Sequence, residues 1–171
     1  MATPIIILCP LCVPLLVAWA IGGAIKARLG GTIGITLAFA FFGIGHFVQT
    51  EAMARMLPPF VPFATPLVLA TGLLELAVAA GLAFPASRRM AGLLAIGVLV
   101  AFFPVNIYAA FNYTGMGGHV LGPVYLLIRA PLQALIIWWV WFFVVRPVEA
   151  VPPSRLATEQ YISKGQTNAG T

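Results

Sequence analysis

The chain has 171 residues, of which 61% are hydrophobic and 8% are charged, and its mean hydropathy is +1.04. So few polar side chains cannot cover a water-soluble globule, and the composition therefore predicts an integral membrane protein in contact with the lipid bilayer. The net charge of +5 comes from nine scattered Lys and Arg residues. They form no basic stripe interleaved with aromatic residues, which argues against a nucleic-acid partner.

Apolar runs separated by short polar joints follow one another along the chain, at residues 4–25, 32–48, 66–85, 90–112 and 123–145. A helix of about twenty apolar residues is long enough to cross a bilayer. The sequence thus predicts an all-α polytopic membrane protein with five spans. We expect an N-terminal transmembrane helix and its basic joint at 1–31, a four-helix membrane core at 32–145, and a solvated, disordered tail at 146–171.

Two local patterns add detail to this outline. In the joint at 49–65, Glu51 and Arg55 are four residues apart in the order that favours a helical ion pair, which predicts a short helix at the membrane interface. The Trp-rich segment 138–143 near the end of the fifth run is typical of an aromatic belt at a membrane interface.

Basic residues are concentrated in the first joint, the third joint and the tail: Lys26, Arg28, Arg88, Arg89, Arg146, Arg155 and Lys164. By the positive-inside rule these segments face the cytoplasm, which puts the N-terminus outside and the C-terminus inside. The first run has no basic residues before it, so we expect an uncleaved anchor instead of a signal peptide.

Five polar side chains interrupt the apolar runs: His46, Glu75, Asn106, Arg129 and Gln133. At a rise of about 1.5 Å per residue, all five fall in the outer half of the membrane. A guanidinium inside a membrane costs about 2.5 to 3.5 kcal/mol on insertion scales unless it finds water or a partner. Since Glu75 is the one carboxylate within the runs, the sequence predicts a Glu75–Arg129 ion pair.

The polar cluster allows two interpretations. It can be a structural network that fixes how the helices pack. Alternatively it can be an outward-facing binding pocket, in which Arg129, Gln133 and Asn106 hold a quinone carbonyl or a small anion while Glu75 or His46 exchanges a proton. His46 and His119 could also offer two imidazoles to a metal or haem, but they lack a characteristic spacing, and no metal site is predicted.

Cys9 and Cys12 form a Cys-Pro-Leu-Cys sequence in the first run. Two thiols at this spacing can form a redox dithiol, and the predicted topology puts them near the outer, oxidising face. The other interpretation is that both are small apolar side chains of a membrane helix.

Four segments, taken in order, resemble the DoxX family of small bacterial membrane proteins: Gly45-His46-Phe47, Gly72-Leu73-Leu74-Glu75-Leu76, Phe103-Pro104-Val105-Asn106-Ile107-Tyr108 and Arg129-Ala130-Pro131-Leu132-Gln133. The resemblance covers roughly residues 32–145. It implies a four-helix bundle in the bacterial inner membrane, near subunits that couple sulfur compounds to quinone reduction and near partners of thiol-stress enzymes. Cys9 and Cys12 lie outside it.

These observations lead to two functional hypotheses. The first is a membrane subunit that links thiol or sulfur-compound oxidation to the quinone pool through the polar pocket, with quinone as its ligand. The second is a non-catalytic scaffold or accessory subunit that docks on other membrane protein subunits. Transport of a small solute is a weaker third, because the sequence shows no inverted repeat.

Overall fold

The computed structural model describes residues 3–112 and 117–147. These residues are almost entirely helical and contain no β-strand. The α-helices are α1 (Thr3–Val48), α2 (Thr50–Ala54), α3 (Ala64–Ala83), α4 (Arg88–Asn112) and α5 (Leu126–Val140). A 3-10 segment, Gly117–Tyr125, leads into α5, and a π-helical turn, Trp141–Val145, follows it.

Helix α1 is broken at Gly22 and Gly23, where Gly23 has a φ of 60° that favours glycine. The break divides α1 into an N-terminal limb, Leu8–Gly23, and a C-terminal limb, Lys26–Val48. The N-terminal limb folds back on the other: a Cβ atom at Gly34 would lie 2.6 Å from the carbonyl oxygen of Leu11. The two limbs therefore form a tight antiparallel hairpin.

Four helices among the described residues are long and apolar enough to cross a membrane: Lys26–Val48, Ala64–Ala83, Arg88–Asn112 and Leu121–Val145. They form a ring in which the C-terminal limb of α1 packs on α3, α3 on α4, α4 on α5, and α5 back on α1. The centre is filled by fully buried side chains that include Ile35, Phe39, Leu82 and Val140. This arrangement is an antiparallel four-helix bundle.

Four arginines lie together at one end of this bundle, which we call the basic end and define by Arg28, Arg88, Arg89 and Arg146. Arg28 Nε donates to the carbonyl oxygen of Phe143 at 3.1 Å, and its Nη2 donates to that of Arg146. We call the other end, where α1 finishes at Val48 and α3 begins, the far end.

The structure confirms the helical membrane architecture and refines several predictions. The helix predicted to start at residue 32 begins at Lys26. Glu51 and Arg55 do pair, at 3.5 Å, beside the short helix α2. In the predicted aromatic belt, Trp138, Trp141 and Phe142 are exposed, whereas Trp139 and Phe143 are buried in the core. The position of the belt at a membrane interface stays a prediction. Of the predicted tail, residues 148–171 lie outside the described part of the chain.

Candidate functional site

A histidine and a carboxylate meet inside the bundle near its far end. His46 Nδ1 on α1 lies 3.1 Å from Oε2 of Glu75 on α3, and Glu75 is only 4% exposed. The same nitrogen lies 3.0 Å from the carbonyl oxygen of Phe42. Since both neighbours are acceptors, Nδ1 carries the hydrogen when it bonds to either of them. The ring also packs against Phe102 of α4, with 6.2 Å between centroids.

Two glycines bring the helices that carry this pair together. A Cβ atom at Gly72 would lie 2.6 Å from Cβ of His46 and 3.1 Å from the carbonyl oxygen of Gly43. A Cβ atom at Gly43 would in turn lie 2.7 Å from the side chain of Leu76. Backbones approach this closely only where small residues face each other. The Gly43–Gly72 contact thus positions His46 over Glu75.

The predicted Glu75–Arg129 ion pair is wrong. Among the described residues, the ion pairs are His46–Glu75 and Glu51–Arg55. Arg129 Nε is buried without a hydrogen-bond partner, and Glu75 Oε2 also lacks a well-aligned donor despite its contact with His46. The carboxylate therefore turns toward α1, and within residues 3–112 and 117–147 the guanidinium on α5 has no counter-charge.

The two predicted amide ligands hydrogen-bond to main-chain carbonyls. Gln133 Nε2 donates to the carbonyl oxygen of Leu99 at 2.7 Å and so joins α5 to α4. Asn106 Nδ2 donates to Phe102, one turn earlier on its own helix, at 2.8 Å. Neither amide contacts Glu75, and their role as ligands stays a prediction.

Helix register places Arg129 close in height to the His46–Glu75 pair. A Cβ atom at Gly31 would touch the ring of Phe143, and Arg28 bonds to Arg146, so α1 and α5 run antiparallel with these residues opposite each other. Counting along both helices at about 1.5 Å per residue brings Arg129 within about one turn of His46. The buried donor and the buried acceptor thus share one level of the bundle.

The membrane boundary at the far end follows from length and charge. The limb Lys26–Val48 has 23 residues, and its length of about 34 Å matches the hydrocarbon thickness of about 30 Å. The Glu51–Arg55 pair, with side chains 87% and 71% exposed, begins just beyond it. A span that ends at Val48 would put His46 about 3 Å inside the boundary, with Glu75 about 5 Å deeper.

The cysteines lie well away from the far end of the bundle, and their position relative to the outer face stays a prediction. Both are free thiols, Cys9 exposed and Cys12 half-buried. They flank Leu11, which faces Gly34. This register puts the cysteines about 15 to 20 Å from His46 along the bundle axis, toward the basic end. A dithiol here would lie near mid-membrane, well away from the polar cluster.

No metal centre is apparent in the part of the chain that the structure describes, where no three His, Cys, Asp or Glu side chains gather. The side chain of His119 lies outside the described residues, so its position relative to His46 is not described.

A known protein family matches the helical bundle described above. A family model for a domain of unknown function, DUF8561, matches residues 35–144. The chain belongs to the DUF8561 family. No curated protein and no solved structure matches the chain. The matched segment falls within the predicted core at 32–145, while the relation to the DoxX family stays a prediction.

Sequence reasoning named the polar residues of the site but missed the residues that position them. Gly43, Gly72 and Phe102 set the distance and orientation of the His46–Glu75 pair. A signal was available, because glycines in membrane helices often mark close helix contacts. It could not indicate which glycine faces which helix.

Proposed function

We propose that this protein is a membrane subunit that binds the head group of a quinone or quinol between His46, Glu75 and Arg129. The observation that carries the proposal is the pair of unsatisfied buried atoms, one acceptor on Glu75 and one donor on Arg129. Buried polar atoms in folded proteins almost always have partners, so an orphaned donor and an orphaned acceptor at one height favour a bound molecule that supplies both.

The chemistry of a quinone fits these two atoms. A quinone carbonyl oxygen accepts a hydrogen bond from Arg129 Nε, and a quinol hydroxyl donates one to Glu75 Oε2. The apolar ring and tail would reach the site from the lipid, since the cluster lies close to the membrane boundary and is otherwise lined by apolar side chains.

The proposed reaction, in line with the DoxX resemblance, oxidises a thiol or sulfur compound and reduces the quinone. Two thiols lose two electrons and two protons to form a disulfide, and the quinone takes up both to become a quinol. Because Cys9 and Cys12 lie about 15 to 20 Å below His46 in height, the thiol donor would be a separate molecule or chain at the far end.

We further propose that the basic end faces the cytoplasm of a bacterial inner membrane. In this arrangement the N-terminal limb, whose helix begins at Thr3, forms a fifth span with its start on the outside. The polar cluster then opens near the outer surface.

Binding can be tested with the purified protein in lipid nanodiscs, using a short-chain benzoquinone and its quinol as probes. Tryptophan fluorescence gives the dissociation constants. We expect Arg129→Gln to weaken quinone binding and Glu75→Gln to weaken quinol binding, each by about tenfold or more, because each change removes one charged hydrogen-bonding partner.

The exposed pair Glu51–Arg55 offers matched controls. Glu51→Gln and Arg55→Gln remove the same charges from the surface of the far end and should leave both constants unchanged. Absence of binding by the unaltered protein, or an equal effect of all four substitutions, would exclude the proposed pocket.

A scaffold role remains the alternative, and one observation favours it. Helix α4 buries only 22% of its membrane segment within the chain, against 39% for Lys26–Val48 and for Leu121–Val145. A large free apolar face suits a partner helix as well as lipid. Recovery of the protein from mild detergent as a monomer without co-purifying chains would argue against this role.

A further inference from the structure

We propose that His46 is the residue through which the buried carboxylate of Glu75 exchanges protons with water at the far end. This inference deepens the proposed binding function by giving its site a proton route, but the exchange itself needs no bound quinone. The side chain of Glu75 is only 6% exposed, and its Oε2 lacks a hydrogen-bond donor. Oε2, the oxygen that faces His46, therefore has no contact of its own with the surface of the bundle.

His46 connects this carboxylate to the surface. Its Nδ1 is 3.1 Å from Oε2 of Glu75, and its side chain is 15% exposed. The side chain of Glu75 is 6% exposed, so the imidazole of His46 reaches nearer to the surface of the bundle than the carboxylate does.

The ring is held in this orientation from three sides. Nδ1 is anchored to the carbonyl oxygen of Phe42, Phe102 packs against the ring, and Gly72 lies directly behind Cβ. The residues that follow, Gln49 and Thr50, are polar, and Glu51 is exposed. The polar joint therefore begins within about one helical turn of His46.

The proton transfer balances within the pair. A proton from water binds the lone pair of Nε2 and gives an imidazolium. The Nδ1–H bond then breaks as an O–H bond forms on Oε2, which leaves a neutral imidazole and a neutral carboxyl. The reverse sequence returns the proton to water. An imidazole suits this step because each ring nitrogen can bind or release a proton.

Among the described residues, His46 is the titratable side chain that pairs with Glu75. On α5, Arg129 lies at a similar height but forms no ion pair with the carboxylate. Near α2, Glu51 and Arg55 pair with each other at the surface. Helix α4 presents Phe102, and Asn106 bonds to its own helix.

Infrared spectroscopy of the full chain in lipid films can follow Glu75 after a jump in bulk pH, with no ligand added. The carboxyl signal that disappears in Glu75→Gln identifies the group. We expect His46→Gln to slow its response by about a hundredfold or more, a typical contribution of a positioned proton-transfer residue. His119→Gln, which alters the chain's other histidine, should leave the rate unchanged.

A second variant separates the relay from a loss of structure. In His46→Ala, imidazole added to the bath should restore much of the rate, which a purely structural role would not allow. Rates for His46→Gln equal to those of the unaltered protein, or no rescue by imidazole, would overturn the relay. If the relay fails while benzoquinone still binds, the proposed function stands. If benzoquinone never binds while the rate depends on His46, only the relay stands.

Discussion

A single hydrogen atom in place of a side chain at Gly72 sets the geometry of the site. A Cβ atom there would lie 2.6 Å from Cβ of His46, and that contact has no flexible side-chain end that could move away. We expect Gly72→Ala to push α3 from α1 and to lower the free energy of unfolding by about 1 to 3 kcal/mol. Thermal unfolding in detergent measures the loss.

Gly97 is the matched control for this substitution. It lies within α4, is exposed, and has no atom within 4 Å of the position that a Cβ atom would take. Gly97→Ala should therefore leave the unfolding temperature unchanged or raise it slightly. Equal losses in the two variants would show that the Gly72 contact is not what holds the helices together.

The same contact explains why the partner of Glu75 could not be predicted. The sequence places Glu75, Arg129 and His46 in apolar runs, and run lengths give their approximate heights. Which polar side chains meet depends on the rotation of each helix about its axis, and here that rotation is set by Gly72 against Gly43. Charge complementarity favoured Arg129, whereas close packing brought His46 to the carboxylate.

At the scale of elements, hydropathy predicted the helices well but not their irregularities. The break lies at the Gly22-Gly23 pair, which is a turn signal, but the apolar run 4–25 continues across it. The π-helical turn Trp141–Val145 has no signature in its apolar run. The break folds the N-terminal limb back and lowers the cysteines toward mid-membrane. The π-helical turn differs from an α-helix in its hydrogen bonding, and Arg28 bonds to its Phe143 carbonyl oxygen.

Arg28 should therefore stabilise the π-helical turn. Arg28→Gln removes the donors to Phe143 and Arg146, so we expect faster amide hydrogen exchange across Trp141–Val145 with little change in α3. Arg89→Gln is the control, because Arg89 is an exposed arginine at the same end. Unchanged exchange in Arg28→Gln would mean that the turn is held by packing alone, such as that of Val144 and Val145 around Gly92.

For the whole molecule, the hairpin of α1 and the antiparallel bundle fix the depth of each residue relative to both membrane surfaces. Cys9 and Cys12 should lie in the hydrocarbon, so a membrane-impermeant maleimide should not label them in intact vesicles, whereas it should label them after the protein is denatured in SDS. In a Cys9→Ser, Cys12→Ser background, Glu51→Cys should react from one side of the membrane and Arg89→Cys from the other, since the two positions lie at opposite ends of the bundle. Labelling of the native cysteines as fast as that of Glu51→Cys would place the N-terminal limb in water. Labelling of both introduced cysteines from the same side would exclude a bundle that crosses the membrane along its helix axes.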